Sequence, residues 1–131
     1  MLKGLQHPAD AALALQHDVD GIIVSNHGGR QVDGAVASLD ALGPIVAEVA
    51  GRVPVLFDSG VRSGADALIA LALGADAVLV GRPYVYGLAL AGQAGVAAVL
   101  RHFIAELDLT LGLLGCASLA DLGPDILTPR S

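Results

Sequence analysis

A histidine and an arginine lie close together directly after an apolar run near the start of the chain. Residues 22–30 read IIVSNHGGR, so two glycines separate His27 from Arg30. An imidazole can take up a proton near neutral pH, and a guanidinium can hold a carboxylate through its planar fork of donors. The glycines allow a turn tight enough for both side chains to face one ligand. The alternative is a hydrogen-bonded loop histidine beside a solvated arginine.

Glycines and arginines also follow two later apolar runs. Residues 58–64 read DSGVRSG, and Gly81-Arg82 ends the next run. Glycine lets the backbone approach a ligand closely, and the free amides at a helix start favour phosphate. Arg62 or Arg82 could add charge-assisted hydrogen bonds. Each segment alone fits an ordinary turn with a solvated arginine, but two of them on neighbouring strands favour a phosphate site.

Strand-like and helix-like segments alternate along the chain. Strands are predicted at residues 1–5, 21–25, 53–58 and 77–80, and helices at residues 8–16, 38–50, 63–73 and from 84 to about 111, with a short helix after Ser118. Ser38 and Ser63 are predicted helix caps, Pro44 a kink or break, and Gly74 a left-handed helix end.

Repeated βα units predict a parallel α/β sheet whose strands all end at one edge, where ligands bind. Four strands are half the number in an eight-stranded barrel. Lys3, at the end of the first strand, would face the same edge.

Composition sets broad limits on function. The chain has 131 residues, 54% of them hydrophobic, which suits one close-packed domain. The net charge of −6 and the lack of basic runs argue against a nucleic-acid partner. The single cysteine, Cys116, excludes an internal disulfide and is expected to be a buried small side chain. No metal site is predicted, because His27 has no second ligand at suitable spacing.

The chain is predicted to be cytoplasmic and to have no membrane contact. Its first residues lack the pattern of a signal peptide. The uncharged run of residues 83–100 is long enough to be tested as a membrane span, but Gly87, Gly92, Gln93 and Gly95 interrupt it. Two soluble helices with a glycine break fit this run better. We expect one domain over residues 1–131, with a loose tail from about residue 124.

Residues 25–31, SNHGGRQ, closely resemble the signature of the FMN-dependent α-hydroxy acid oxidases and dehydrogenases, which include the glycolate oxidase, lactate oxidase and lactate 2-monooxygenase types. The similarity extends from Lys3 to about Asp125 and keeps the order SNHGGRQ, FDSGVRSG, ALALGADAV, GRPYVYGLAL. The resemblance implies the C-terminal half of a (β/α)8 TIM barrel with FMN as cofactor. The implied reaction oxidises a small 2-hydroxy acid of the lactate, glycolate or mandelate type to the 2-oxo acid or its decarboxylated product.

The same resemblance implies a role for each matching residue. His27 matches the base that takes the substrate proton, and Arg30 matches the residue that binds the substrate carboxylate. Lys3 matches the lysine beside the flavin pyrimidine edge. The other implied cofactor contacts are Ser25 to the flavin, Asp58 to the ribityl chain, and Gly60, Arg62, Gly81 and Arg82 to the phosphate, with Ser59 also among the cofactor-binding residues. Ser59 stands where some family members have glycine, and this difference is expected to change little.

Family members also have a first barrel half that adds flavin contacts, an aspartate that orients the base, and substrate-binding side chains. No match to that half occurs in these 131 residues. We therefore expect this chain to pair with such a half or with another copy of itself as a homo-oligomer, and to bind FMN poorly and turn over little alone. Two alternatives remain. One is a self-associating, non-catalytic half-barrel that binds phosphate or FMN. The other is a barrel of the inosinate dehydrogenase or isopentenyl isomerase type, which SNHGGRQ disfavours.

Overall fold

The computed structural model describes residues 1–128, and its centre is a parallel sheet of four strands in sequence order. Neighbouring strands pair in parallel, with Ile22 opposite Val55 and Val24 opposite Phe57. Short β-branched and aromatic runs suit strands that are covered on a face by helices. The parallel sheet is therefore as predicted, and its strands are β1 (Leu2–Leu5), β2 (Ile22–Val24), β3 (Val55–Phe57) and β4 (Ala77–Val78).

A helix follows every strand of the sheet. The helices are α1 (Pro8–Gln16), α2 (Ser38–Val49), α3 (Gly64–Ala72) and α4 (Arg82–Leu114). The apolar core lies between β2, β3 and α2, where Ile22, Leu42 and Ile45 are fully buried. The predicted alternation of strands and helices is confirmed, with shorter strands than the sequence indicated. It places all four βα loops at one edge of the sheet.

Two local signals in the sequence hold as predicted. Ser63 and Asp66 form a reciprocal cap at the start of α3, since Ser63 Oγ accepts from the Asp66 amide at 3.1 Å and Asp66 Oδ2 accepts from the Ser63 amide at 3.0 Å. Gly74 follows α3 with φ +98°, a left-handed conformation. Glu106 of α4 adds a third contact, accepting a hydrogen bond from the Gly64 amide at 2.8 Å. The loop before α3 is thus held by side chains of both α3 and α4.

The start of α2 differs from the prediction. Ser38 is the first helical residue and Ala37 takes the cap position without a side-chain hydrogen bond. Ser38 Oγ instead accepts from the Asn26 amide at 2.8 Å, so it serves the loop after β2 rather than its own helix. The physical reason is that Asn26 leaves the sheet at that point and its partly buried amide needs an acceptor. Pro44 lies inside α2 and does not end it.

Helix α4 is interrupted where the sequence predicted a glycine break. Ala91 has φ −151° and Gly92 has φ 57° with ψ −137°, neither of which is helical. Gly87 and Gly95 are buried and lie backbone to backbone across the break, where a Cβ on Gly87 would be 2.6 Å from the Gly95 oxygen. The helix ends at Leu114 rather than near Leu111.

The segment after α4 is less regular than predicted. Cys116 is only partly buried, and the expected short helix after Ser118 is a single 3-10 turn at Leu119–Asp121. A second 3-10 turn at Pro124–Ile126 lies in the predicted tail, whose last residues, 129–131, are outside the described part of the chain.

By length and composition, α4 could cross a membrane. It has a mean hydropathy of 1.4 over its most apolar stretch, of which only 6% is buried. The helix break at Gly92 lies within the same apolar run. The absence of membrane contact therefore stays a prediction.

Candidate functional site

A pocket of about 550 Å³ opens at the carboxyl ends of the strands. Its volume lies within the roughly 300–1,000 Å³ typical of small-molecule sites. Residues from all four βα units line it, so the predicted convergence at one edge of the sheet is observed. The candidate residues that line it are Lys3, His27, Arg30, Asp58, Ser59, Gly60, Arg62, Gly81 and Arg82.

The charge of the pocket wall is opposite to that of the whole chain. Lys3, Arg30, Arg62 and Arg82 line the pocket with Asp58 as the one acidic residue there among residues 1–128, whereas the chain has a net charge of −6. A positively charged cleft raises the local concentration of anions. The pocket therefore suits a ligand with phosphate or carboxylate groups.

The loop that carries His27 and Arg30 turns through three consecutive left-handed residues. His27, Gly28 and Gly29 have φ values of 55°, 66° and 74° and form a 3-10 turn. Asn26 Oδ1 accepts from the Gly28 amide at 3.0 Å and stabilises this turn. The turn brings the imidazole and the guanidinium to the same pocket, as the two glycines predicted. Left-handed backbone is uncommon for residues other than glycine, so its presence at His27 marks the loop as conformationally constrained.

Ser25 is the one candidate that does not line the pocket. It is fully buried below the loop, where its Oγ accepts from the His27 amide at 3.0 Å and lies 3.4 Å from Ser59 Oγ. Its observed contacts are with the protein and support the loop. Its contact with a flavin stays a prediction.

Gly4 belongs to the site although the sequence did not single it out. It has φ +100° and lies where the pairing of β1 with β2 shifts register, between Lys3 and Leu5. A Cβ built on Gly4 would be 2.6 Å from Nε2 of His27. The imidazole therefore lies against the bare backbone of β1. A glycine in the middle of a strand was the available signal, since it marks a bulge or a close approach.

Lys3 and Asp58 form an ion pair across the first and third strands. Lys3 Nζ lies 2.5 Å from Asp58 Oδ2, and the Asp58 side chain is only 16% exposed. Burial raises the pKa of Asp58, but hydrogen bonds from Lys3, Ser25 and Ser59 and the positive charge of Lys3 outweigh it, so the pKa is below its usual value. Asp58 is thus ionised at neutral pH and holds the ammonium group at the pocket.

The two arginines of the predicted phosphate cradle differ in their contacts. Arg82 Nη2 donates to the Gly28 oxygen at 2.8 Å, which ties the fourth βα unit to the His27 loop. Arg62 is exposed at the start of the neighbouring α3. The space beside Gly60 and Gly81 is open, with no atom of residues 1–128 within 4 Å of a Cβ built on either, apart from their chain neighbours. Open backbone beside two cationic side chains fits a phosphate group.

An apolar and aromatic wall completes the pocket beside this cradle. The sequence prediction did not assign these residues, although they directly surround Gly81 and Arg82. They are Leu79, Val80, Pro83, Tyr84, Val85 and Tyr86. A wall of this kind suits a flat, partly apolar ligand, because aromatic and aliphatic surface favours contact with rings.

Comparisons with known proteins identify the family of this chain. The family of FMN-dependent dehydrogenases matches residues 1–129. The chain is 57% identical to an L-lactate oxidase of Lysinibacillus sphaericus over 122 residues and 50% identical to 2-hydroxyacid oxidase 2 of Rattus norvegicus over 127 residues. These matches cover 93% and 97% of this chain but 32% and 36% of the relatives. The chain therefore spans about a third of the length of these relatives.

The solved structures give the same result. A soluble mutant of the membrane-associated (S)-mandelate dehydrogenase from Pseudomonas putida superposes with a TM-score of 0.94 at 46% identity, covering 98% of this chain and 37% of that protein. Such neighbours are TIM barrels, which confirms that the four-stranded sheet corresponds to part of one. From the matching motifs, the shared fold and this sequence similarity, the chain belongs to the family of FMN-dependent dehydrogenases.

Proposed function

We propose that this chain binds FMN and supplies the base and the carboxylate anchor for oxidation of a small 2-hydroxy acid. The observation that carries the proposal is the convergence of His27 and Arg30 with a cationic, glycine-lined cradle in one pocket. Bound FMN supplies the two-electron acceptor for such a reaction. The family membership supports this class of chemistry.

His27 and Arg30 have complementary tasks in this proposal. Arg30 binds the substrate carboxylate through paired hydrogen bonds and so fixes the substrate in the pocket. His27 takes the proton that leaves the 2-hydroxy acid as it is oxidised to the 2-oxo acid. The contact of the imidazole with Gly4 limits where Nε2 can lie, which keeps the base in a defined position.

The remaining candidates hold the cofactor. Arg62 and Arg82 neutralise the FMN phosphate, and the open backbone at Gly60 and Gly81 lets it approach closely. Lys3, held by Asp58, places a positive charge at the pocket and favours electron uptake by the bound flavin. Asp58 retains acceptor capacity for a ribityl hydroxyl, since a carboxylate has about four lone-pair sites.

The open edges of the sheet support the proposal that this chain pairs with another chain. Within the described part of the chain, strands β1 and β4 each have one unpaired side, and exposed parallel edges readily pair with another chain. We infer that residues 1–131 form one partial barrel domain, completed by a second barrel half or by another copy of this chain, and that it acts in the cytoplasm. Sedimentation tests the inferred assembly, since a stable monomer of the isolated chain would contradict it.

The enzymatic proposal is tested by titrating FMN into the chain, alone and with a separately expressed N-terminal barrel half of a relative. In the complemented sample we expect the flavin absorbance to change when FMN binds. We also expect bleaching, the loss of oxidised-flavin absorbance, when L-lactate or (S)-mandelate is added. His27→Ala should abolish bleaching and retain FMN binding, whereas His102→Ala, an exposed histidine of α4, should leave both unchanged. No spectral change in the complemented sample would contradict the proposal.

The open edges also favour a second candidate, a non-catalytic half-barrel that assembles with itself and binds phosphate or FMN. It predicts flavin binding by a homo-oligomer without bleaching by any 2-hydroxy acid. Both functions predict that His27→Ala retains FMN binding, so the discriminating observation is whether the wild-type complemented sample is bleached. The same titrations therefore separate the two functions.

A further inference from the structure

We propose that Ser59 is a positioning residue whose hydroxyl joins the His27 loop to the Lys3–Asp58 ion pair. The ends of β1, β2 and β3 would then hold their functional side chains as one hydrogen-bonded unit. The functional part of this inference rests on the proposed function of the pocket. It deepens that function by naming what fixes the base relative to the lysine.

The backbone of Ser59 is the first observation. Ser59 has φ +81°, and Gly60 after it has φ +87°. Only four non-glycine residues among residues 1–128 are left-handed: Asp18, His27, Ala50 and Ser59. Glycine adopts this conformation without the steric cost that a Cβ brings. A serine here therefore carries a conformational penalty that glycine would remove.

The hydroxyl of Ser59 provides the compensating contacts. It donates to Asp58 Oδ1 at 2.8 Å and accepts from the Gly28 amide at 3.2 Å. The other oxygen of Asp58 lies 2.5 Å from Lys3 Nζ. A continuous path thus runs from Lys3 through Asp58 and Ser59 to Gly28, the residue next to His27. A hydroxyl is suited to the middle of this path because it donates and accepts at once.

Loss of the hydroxyl should loosen this path without unfolding the loop. The Gly28 amide also donates to Asn26 Oδ1 at 3.0 Å, so the turn keeps one local support. Asp58 Oδ1 would lose a donor, and the His27 loop would lose the direct hydrogen bond from the Gly28 amide to Ser59, while the contact of the His27 amide with Ser25 stays. The expected result is a shift of the imidazole relative to the ammonium group, in a turn that remains formed.

Ala50 provides a matched control for the backbone. It is left-handed with φ 50° at the end of α2 and does not line the pocket. Ala50→Gly removes the Cβ penalty and makes the unfolded chain more flexible, and we expect the first effect to be larger, so the unfolding midpoint should rise. Ser59→Gly removes the same kind of penalty together with the hydroxyl. If the hydroxyl contributes as proposed, Ser59→Gly lowers the midpoint instead, and Ser59→Ala lowers it further because the penalty stays.

The test uses the full 131-residue chain, free of ligand, with NMR signals of the His27 ring and the Lys3 side chain as readouts. Both signals should move in Ser59→Ala and Ser59→Gly and stay in place in Ala50→Gly. Movement of one signal alone or of neither, or a rise in midpoint for Ser59→Gly equal to that of Ala50→Gly, overturns the inference. Titrating FMN into the wild-type chain complemented with the barrel half tests the proposed function separately, because the ligand-free signals do not depend on its outcome.

Discussion

The two ends of the sheet use the same unusual backbone conformation for different purposes. At the amino end, Ala50, Gly51 and Gly74 are left-handed where α2 and α3 end. At the carboxyl end, left-handed residues flank or carry the side chains of the pocket: Gly4, His27, Gly28, Gly29, Ser59 and Gly60. Left-handed residues commonly end helices, so those at the amino end have an ordinary structural role. Those at the carboxyl end orient the neighbouring side chains towards the pocket.

The difference extends to what each left-handed residue touches. Gly74 lies against Val46, an apolar side chain of α2, whereas Gly4 lies against the imidazole of His27. A Cβ would be 2.7 Å from Val46 Cγ1 in the first case and 2.6 Å from His27 Nε2 in the second. The two glycines therefore leave almost the same space for a neighbour. At the amino end that neighbour is an apolar side chain of α2, and at the carboxyl end it is the candidate base.

The largest expected effect is on anion binding at the carboxyl end. Arg82→Ala removes a charge-assisted partner for the phosphate and the hydrogen bond to the Gly28 oxygen. Hydrogen bonds to charged groups contribute about 1.5–3 kcal/mol, so we expect phosphate or FMN affinity to fall about 10- to 100-fold. Arg52→Ala, at the amino end after α2, is the control and should leave affinity unchanged. Isothermal titration of the complemented chain measures both, and equal losses would remove the distinction between the two ends.

Gly4→Ala and Gly74→Ala form the next test. Their φ values are +100° and +98°, so each variant should lower the free energy of unfolding by about 1–3 kcal/mol. Only Gly4→Ala should also displace the His27 ring signals and reduce bleaching of FMN by a 2-hydroxy acid. Chemical denaturation and NMR give the two readouts. Displaced His27 signals in Gly74→Ala as well would show that they report general destabilisation.

A smaller effect is expected from pH. Since the pKa of Asp58 is lowered in the folded chain, its contribution to stability is complete above the unfolded pKa of about 3.9 and is lost as pH falls through the folded value. The contribution should be on the order of 1 kcal/mol or less, because Lys3 is 42% exposed. Lys3→Met should make this acid loss of stability smaller, because without the ammonium group the pKa of folded Asp58 rises towards its unfolded value. Urea denaturation between about pH 2 and 7 measures it, with Asp40→Asn as a control for overall charge, and an unchanged profile in Lys3→Met would contradict the ion pair.

The smallest expected effect belongs to the amino end. Ala50→Gly should raise the free energy of unfolding by up to about 0.5–1 kcal/mol, because the left-handed penalty disappears and no functional contact is lost. Thermal unfolding measures the change. FMN affinity should not move, and a loss of affinity would mean that the two ends are coupled.

Short-range features of the fold could be predicted from the sequence. The start of α1 at Pro8, the cap formed by Ser63 and Asp66, and the break at Gly92 each depend on residues within a few positions of one another. Ser38 shows the limit, since its hydroxyl binds the Asn26 amide twelve positions earlier instead of capping α2. A serine can satisfy either partner, and only the path of the loop decides which one is near.

The candidate site shows the same division. The motif SNHGGRQ and the arginines after the later strands indicated a shared pocket, because parallel strands all end at one edge. The contact of Gly4 with His27, and the path through Ser59, could not be predicted in this way. They depend on the register of β1 against β2 and on the left-handed backbone at Ser59.

The sequence by itself determined the order of strands and helices, the family signature and the side chains available for chemistry, because local propensity, capping and strand polarity follow from neighbouring residues. The tertiary structure decided which side chains touch. His27 contacts β1 at Gly4, Lys3 pairs with Asp58, and Ser59 meets Gly28 only because strands that are separated in the sequence end at the same edge of one sheet. Whether two side chains on different strands make contact depends on the strand register and on small differences in atomic position. No local pattern of residues specifies either one.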